Sequence, residues 1–321
     1  MTQSPRPQVL QLLPLTPWLN ERLQAAYDIT LAPPAGPERD ALLAVRGGEF
    51  VGLLSSAAHG VTNAVIDAMP SLRVISSFGV GLDKFDTTHT AARGIAVGYT
   101  PDVLNDCVAD MAFALLLGAG RRIAQADRYV RAGGWTAKPP QAFPLGFKVS
   151  GARLGIVGLG RIGRTIAQRS AGFDMAVRYH SRRPVADAPW AHEPSLTELA
   201  RWADFLVVIT AGGADTHHLI NAEVLAALGP QGYLVNVARG SVVDQDALIA
   251  ALQSGGIAGA ALDVYEHEPQ VPEALRQLDN VVLAPHVASA TEQTRQAMAQ
   301  RVLDNLNAFF AGQPLLSAVG T

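Results

Sequence analysis

Short apolar runs alternate with amphipathic stretches along nearly the whole chain. In the first third, residues 9–13, 50–55, 72–78 and 95–98 have the length and flanking turn residues of buried strands, and 18–27 and 61–68 carry helical spacing. Strands covered on both faces read as continuous apolar runs, which is the habit of a parallel sheet between helices. A long helix is expected over 102–131, then a loop rich in Gly, Pro and Ala over 133–151. A second alternating series begins at Arg153, with strands expected near 154–157, 175–179, 205–210, 233–237, 260–264 and 281–283. Helical periodicity returns over 292–310. Two alternating series argue for two α/β domains, each with a parallel sheet.

The second series opens on a glycine motif. Gly158-Leu159-Gly160-Arg161-Ile162-Gly163 follows an apolar strand, precedes an amphipathic helix (Ile162, Ile166, Phe173) and is succeeded by another strand. In that context the first Gly turns the chain, the second admits phosphate oxygens and the third lets helix and strand pack, with the helix N-terminus facing the negative charge. A dinucleotide is the expected ligand. The next strand ends Tyr179-His180-Ser181-Arg182-Arg183-Pro184, without the acid that an NAD site uses on the adenosine ribose. Ser181, Arg182 and Arg183 can instead bond a 2'-phosphate, so NADP(H) is expected in preference to NAD(H).

These motifs set the expected architecture. A Rossmann domain over 101–290 is inserted into a smaller, flavodoxin-like substrate domain made of 1–100 and 291–321, with a cleft between them; both are doubly wound parallel-sheet α/β domains. Ligands of such sheets lie beyond the carboxyl ends of the strands. Three segments there carry chemistry: Asn236-Val237-Ala238-Arg239-Gly240, Asp263-Val264-Tyr265-Glu266-His267-Glu268-Pro269 and Pro285-His286-Val287-Ala288-Ser289. Taken singly, Arg239 reads equally as a surface ion pair, Glu268 as a solvated acid and His286 as a core imidazole. Together they supply what 2-keto acid reduction needs: a cation for the carboxylate and carbonyl, a proton-donating histidine, and a carboxylate that orients the ring and stabilises the imidazolium.

Composition narrows the partners. A net charge of −3 leaves no footprint for nucleic acid or an anionic membrane. The single cysteine, Cys107, excludes an internal disulfide and reads as a buried structural thiol in a reducing compartment, so a cytoplasmic location is expected. Pro5, Pro7, Pro14 and Pro17 interrupt the N-terminus, which has no continuous signal core, and the apolar run 111–120 is too short to cross a bilayer. No metal site is expected.

With the segment Ser77-Phe78-Gly79-Val80-Gly81-Leu82-Asp83 added to these motifs, nearly the whole chain resembles the D-isomer-specific 2-hydroxyacid dehydrogenases. The resemblance implies that Arg239 binds the substrate carboxylate and polarises the carbonyl, that His286 is the acid/base and Glu268 its partner, and that backbone N–H groups at Val80-Gly81 hold the carboxylate. It extends the cofactor site to Thr210, Ala211 and Thr216 after one strand, to Val237, Ala238 and Arg239 after the next, and to Asp263, His286 and Ala288. It also implies a homodimer formed through the cofactor domains, with the long helix after Thr100-Pro101-Asp102 contributing.

Within the family the chain is most similar to the glyoxylate/hydroxypyruvate reductases, several of which use NADPH. Trp135 matches a tryptophan that can border the partner's cleft, although a core or interface anchor is the default reading. Two positions depart from the pattern: Tyr99 replaces an Asn, and 211–216 reads Ala-Gly-Gly-Ala-Asp-Thr where relatives carry a Pro-Leu-Thr run. His217 and His218 match a position without chemistry. Two other readings stay open, a reductase of larger 2-keto acids such as a 2-ketoaldonate or an aryl pyruvate, and a dinucleotide-sensing, corepressor-like interaction protein.

Overall fold

The computed structural model describes residues 6–136 and 143–320; part of the expected 133–151 loop therefore lies outside the described residues. The chain divides into two compact units, residues 1–104 together with 290–321, and residues 105–289.

The first unit runs β1 (Gln8–Gln11), α1 (Pro17–Ala26), β2 (Asp28–Leu31), α2 (Pro37–Arg46), β3 (Gly52–Ser56), α3 (Asn63–Asp67), β4 (Val74–Phe78), α4 (Thr87–Ala92) and β5 (Ala96–Gly98). Its sheet is parallel throughout, in the order β2-β1-β3-β4-β5, which is the flavodoxin-like order. Helix starts carry the residues that satisfy free N–H groups: Thr16, Thr62 and Asp86 accept from Leu19, Val65 and His89. Leu10, Leu53, Ile75, Phe50, Ile66 and Met69 form a core on one face of the sheet.

The second unit runs α5 (Asn105–Gly120), α6 (Ile123–Arg131), β6 (Arg153–Val157), α7 (Arg161–Arg169), β7 (Ala176–His180), β8 (Ala191–His192), α8 (Leu196–Trp202), β9 (Phe205–Val208), α9 (Ala222–Leu228), β10 (Tyr233–Asn236), α10 (Gln245–Gln253), β11 (Gly259–Leu262), α11 (Glu273–Arg276) and β12 (Val281–Leu283). All seven strands are parallel, ordered β12-β11-β10-β9-β6-β7-β8. Counted from β6, this is the Rossmann order with one strand added, and the switch point falls between β6 and β9. The expected fold class is borne out.

Helix α12 (Glu292–Phe310) belongs to the first unit because of polar as well as apolar contacts. The Ser76 hydroxyl donates to Val302 O at 3.1 Å, and the fully buried Asn305 amide donates to Tyr99 O at 3.2 Å and to Ser317 Oγ at 3.1 Å. These groups are costly to bury anywhere else.

The expected single helix over 102–131 is two helices. Arg122 adopts left-handed dihedrals (φ 54°), and Phe147 N–H bonds Gly120 O at 2.6 Å, so a returning segment occupies the carbonyl at the end of α5. An added Cβ at Gly120 would stand 3.0 Å from the Phe205 ring, so the close approach of α5 to the sheet accounts for the glycine that weakens the helix there. Cys107, expected buried, is half-buried. Trp135, for which a core position was one reading, is exposed. Among the described residues no helix is long and apolar enough to cross a membrane.

Candidate active site

The glycine loop joins β6 to α7 at the switch point of the second sheet. Gly158 has φ 100°, and a Cβ there would lie 2.8 Å from the Thr210 backbone; a Cβ at Gly163 would lie 2.2 Å from Gly158 O. Both positions are closed to side chains by neighbouring backbone. At Gly160 an added Cβ meets no other atom within 4 Å, and no side chain caps the α7 N-terminus there. Open space in front of uncapped helix N–H groups is the shape and charge that a pyrophosphate requires, so the loop fits the dinucleotide. Leu159 is buried beneath it and Arg161 opens the helix, followed by the half-buried Ile162.

Residues 181–183 leave β7 beside this loop. Ser181 Oγ donates to Arg183 O at 2.6 Å, and Arg182 Nη1 reaches Asp215 Oδ2 at 3.0 Å. Arg183 is exposed. Strand β9 ends at Val208, two residues short of the expected 210, so half-buried Thr210 lies in the following loop. In that loop the Thr216 hydroxyl donates to Ala211 O at 2.8 Å and closes the turn.

The catalytic candidates meet at the same edge. His286 Nδ1 lies 2.8 Å from Glu268 Oε2, and Glu268 Oε1 accepts the Tyr265 N–H at 3.0 Å. Burial pushes the Glu268 carboxyl up, but the His286 hydrogen bond, the Tyr265 N–H and the His286 and Arg239 charges outweigh it and hold the carboxyl below its usual range. An ionised carboxylate only accepts, so Nδ1 carries the shared hydrogen and Nε2 is the other face of the ring. The Arg239 charge acts on this carboxylate, and its Nη1 donates to Ala238 O at 2.8 Å. Val237 and Ala238 are buried under the turn that presents it.

Three further residues hold this geometry. The Asn236 side chain, 1% exposed, accepts from Ala238 N–H and donates to Arg239 O, both at 3.0 Å, and so clamps the arginine turn. Asp263 is fully buried; its carboxylate accepts from Val287 N–H and Ala288 N–H, each at 2.8 Å, while its carbonyl accepts from His286 N–H at 2.8 Å. Burial pushes this carboxyl up against the downward pull of those N–H groups. The three bonds pin His286 in a left-handed conformation (φ 53°). Gly240 has no room for a side chain: a Cβ would stand 1.9 Å from Tyr265 C and O. Asn236 and Gly240 were not singled out from sequence, although a polar residue closing an apolar strand is the available signal for the first.

Val80 and Gly81 lie in the first unit, half-buried in the loop after β4. That loop hangs on Thr100, whose hydroxyl accepts Gly79 N–H at 3.0 Å and whose N–H donates to Gly79 O at 2.9 Å. In the second unit His218 Nε2 meets Glu266 Oε1 at 2.8 Å and its ring stacks on His217 at 3.9 Å. His217, His218 and Glu266 are the metal-type ligands that converge among the described residues, with ligand atoms within 4.8 Å of one another, and this strut ties the loop after β9 to the loop after β11.

The model of the D-isomer specific 2-hydroxyacid dehydrogenase NAD binding domain matches residues 113–288. A hydroxyphenylpyruvate reductase of Plectranthus scutellarioides is 43% identical over 97% of this chain and 98% of its own length. A glyoxylate/hydroxypyruvate reductase A of Arabidopsis thaliana is 42% identical, with the same coverage. The crystal structure of an NADPH-dependent glyoxylate/hydroxypyruvate reductase from Sinorhizobium meliloti, in complex with NADP and malonate, superposes with a TM-score of 0.92 at 43% identity, covering 98% of this chain and 97% of that one. A match across more than half of the chain, and relatives that follow it from end to end, leave one assignment for a glycine loop that fits a dinucleotide: the chain belongs to the D-isomer specific 2-hydroxyacid dehydrogenases, whose cofactor is a nicotinamide dinucleotide.

Proposed function

We propose that this protein reduces small 2-keto acids, glyoxylate and hydroxypyruvate first, to D-2-hydroxy acids, with NADPH preferred over NADH. The observation that carries the reaction class is the 2.8 Å contact between His286 Nδ1 and an ionised Glu268, beside Arg239. The small substrate is supported by the reductases from Arabidopsis and Sinorhizobium. The hydroxyphenylpyruvate reductase keeps an aryl pyruvate as the second reading. A panel of 2-keto acids with both cofactors decides between them: kcat/KM greatest for an aryl or aldonate substrate overturns the first reading.

In this reading Arg239 holds the substrate carboxylate and draws electron density from the carbonyl. A nicotinamide dinucleotide held at the glycine loop of Gly158, Gly160 and Gly163 would supply the hydride for the carbonyl carbon. His286 gives its Nε2 proton to the carbonyl oxygen, and Glu268 stabilises the imidazolium before transfer and keeps the ring aimed. Asp263 and Asn236 act through these groups as positioning residues.

A charge relation of this kind predicts the direction of a pH shift. Glu268→Gln keeps the shape and removes the negative charge, so the imidazolium is less favoured. Reduction needs the proton, and its alkaline limb is expected to move toward acid. Oxidation of the hydroxy acid needs the neutral ring, and its acidic limb is expected to move the same way. Single-turnover pH profiles measure both on the chemical step, free of slow product release. Profiles that overlay the parent in both directions overturn the pairing.

The NADPH preference rests on Ser181, Arg182 and Arg183 standing at the end of β7 where an NAD site has an acid. Removing both arginines (Arg182→Ala with Arg183→Ala) is expected to weaken NADPH about tenfold or more, as charge-assisted bonds to phosphate are lost, with NADH changed far less. Equal losses for the two cofactors, in equilibrium binding, sink the preference. We also infer a homodimer: Ile123, Val130, Trp135 and Leu145 are exposed apolar side chains of the second unit that a second copy would cover.

A further inference from the structure

Strand order places the loops after β7 and β9 on either side of the glycine loop after β6. Arg182 comes from the first and Asp215 from the second, yet their side chains meet at 3.0 Å. The two strands are separated by two inter-strand spacings, about 9.6 Å, so the ion pair reaches across the position where the adenosine half of the cofactor enters. Asp215 is not on a free-swinging segment. Its short helical turn is closed by Thr216 N–H to Gly213 O at 3.1 Å and by the Thr216 hydroxyl to Ala211 O at 2.8 Å.

We propose that Asp215 is a specificity-determining residue that competes with the 2'-phosphate for Arg182, and so limits how far this protein favours NADPH over NADH. The inference rests on the NADPH reading above. A guanidinium can serve both anions only by placing them side by side, and a phosphate near two negative charges then faces a fixed carboxylate. The pair is open to solvent, with side chains 86% and 78% exposed, so the attraction lost and the repulsion met are each small. NADH carries no phosphate, and its ribose hydroxyls are indifferent to the charge of Arg182. Asp215 thus opposes one cofactor and not the other.

The test is Asp215→Asn, which keeps the side-chain shape on an exposed turn. Equilibrium binding of NADPH and of NADH is measured by calorimetry, without substrate, in the parent, Asp215→Asn, Arg182→Ala and the double variant. NADPH is expected to bind about threefold to tenfold more tightly to Asp215→Asn, with NADH within about twofold of the parent. The gain should shrink with added salt and be smaller in the Arg182→Ala background, where only the direct repulsion between Asp215 and the phosphate is relieved. Unchanged or weaker NADPH binding overturns the inference, as does equal tightening of both cofactors or a gain that is undiminished without Arg182. The arginine variants separate the two readings. If they lose NADPH selectively while Asp215→Asn does nothing, only the competition fails; if they lose both cofactors equally, the NADPH preference fails and the competition with it.

Discussion

Replacing His286 by asparagine is expected to lower kcat for 2-keto acid reduction by about 10²–10⁴-fold, the usual loss when a general acid is removed. Asparagine is the informative substitution because His286 has φ 53°, a conformation that Asn adopts more readily than alanine. The backbone bond from residue 286 to Asp263 O, and the two N–H bonds to the Asp263 carboxylate, survive the change. Affinity for the dinucleotide and the unfolding midpoint should therefore stay near the parent values, while stopped-flow hydride transfer slows. Hydride transfer at the parent rate would assign the proton to another group.

Gly240→Ala is expected to cost both stability and activity. Its Cβ would stand 1.9 Å from Tyr265 C and O and 2.3 Å from Glu266 N, which are backbone atoms and cannot rotate away. The strain belongs at the upper end of overpacking effects, about 3 kcal/mol. Relief requires the turn carrying Arg239 and the loop carrying Glu268 to move apart. A misplacement of about 1 Å at a catalytic site can cost about 10²-fold, and that loss is expected in kcat/KM. Urea unfolding and steady-state kinetics measure the two effects. Parent-like values in both would mean that the two loops are not held by this contact.

The β-strands of the second unit were legible because both faces of a central parallel strand are covered, which leaves a continuous apolar run in the sequence. Strands 205–208 and 233–236 are such cases, and the observed strands end within two residues of the expected positions. The short strands β2 and β8 carry exposed and half-buried residues and left no such run. The break at Arg122 was illegible for a different reason: residues 105–131 are helix-competent locally, and the interruption comes from a distant segment bonding Gly120 O.

The candidate site divides in the same way. Arg239, Glu268 and His286 could be singled out because each lies just beyond an apolar run, and a parallel sheet carries all such positions to one edge. Which partner each one takes could not be read. The Asp263 carboxylate, for one, accepts the N–H groups of Val287 and Ala288. Asp215 stood out only as part of the 211–216 departure and without a partner, since Arg182 lies 33 residues away in sequence.

By itself, then, the sequence determined the order of strands and helices, the glycine loop and the chemical types available at the sheet edge, because these follow from local periodicity and from residues whose conformation is set by near neighbours. The tertiary structure alone decided that Glu268 Oε2 stands 2.8 Å from His286 Nδ1, that Gly240 leaves no space above Tyr265, and that Asp215 meets Arg182 across the glycine loop. Those distances depend on strand register and loop packing between segments far apart in the chain, and no local preference encodes them.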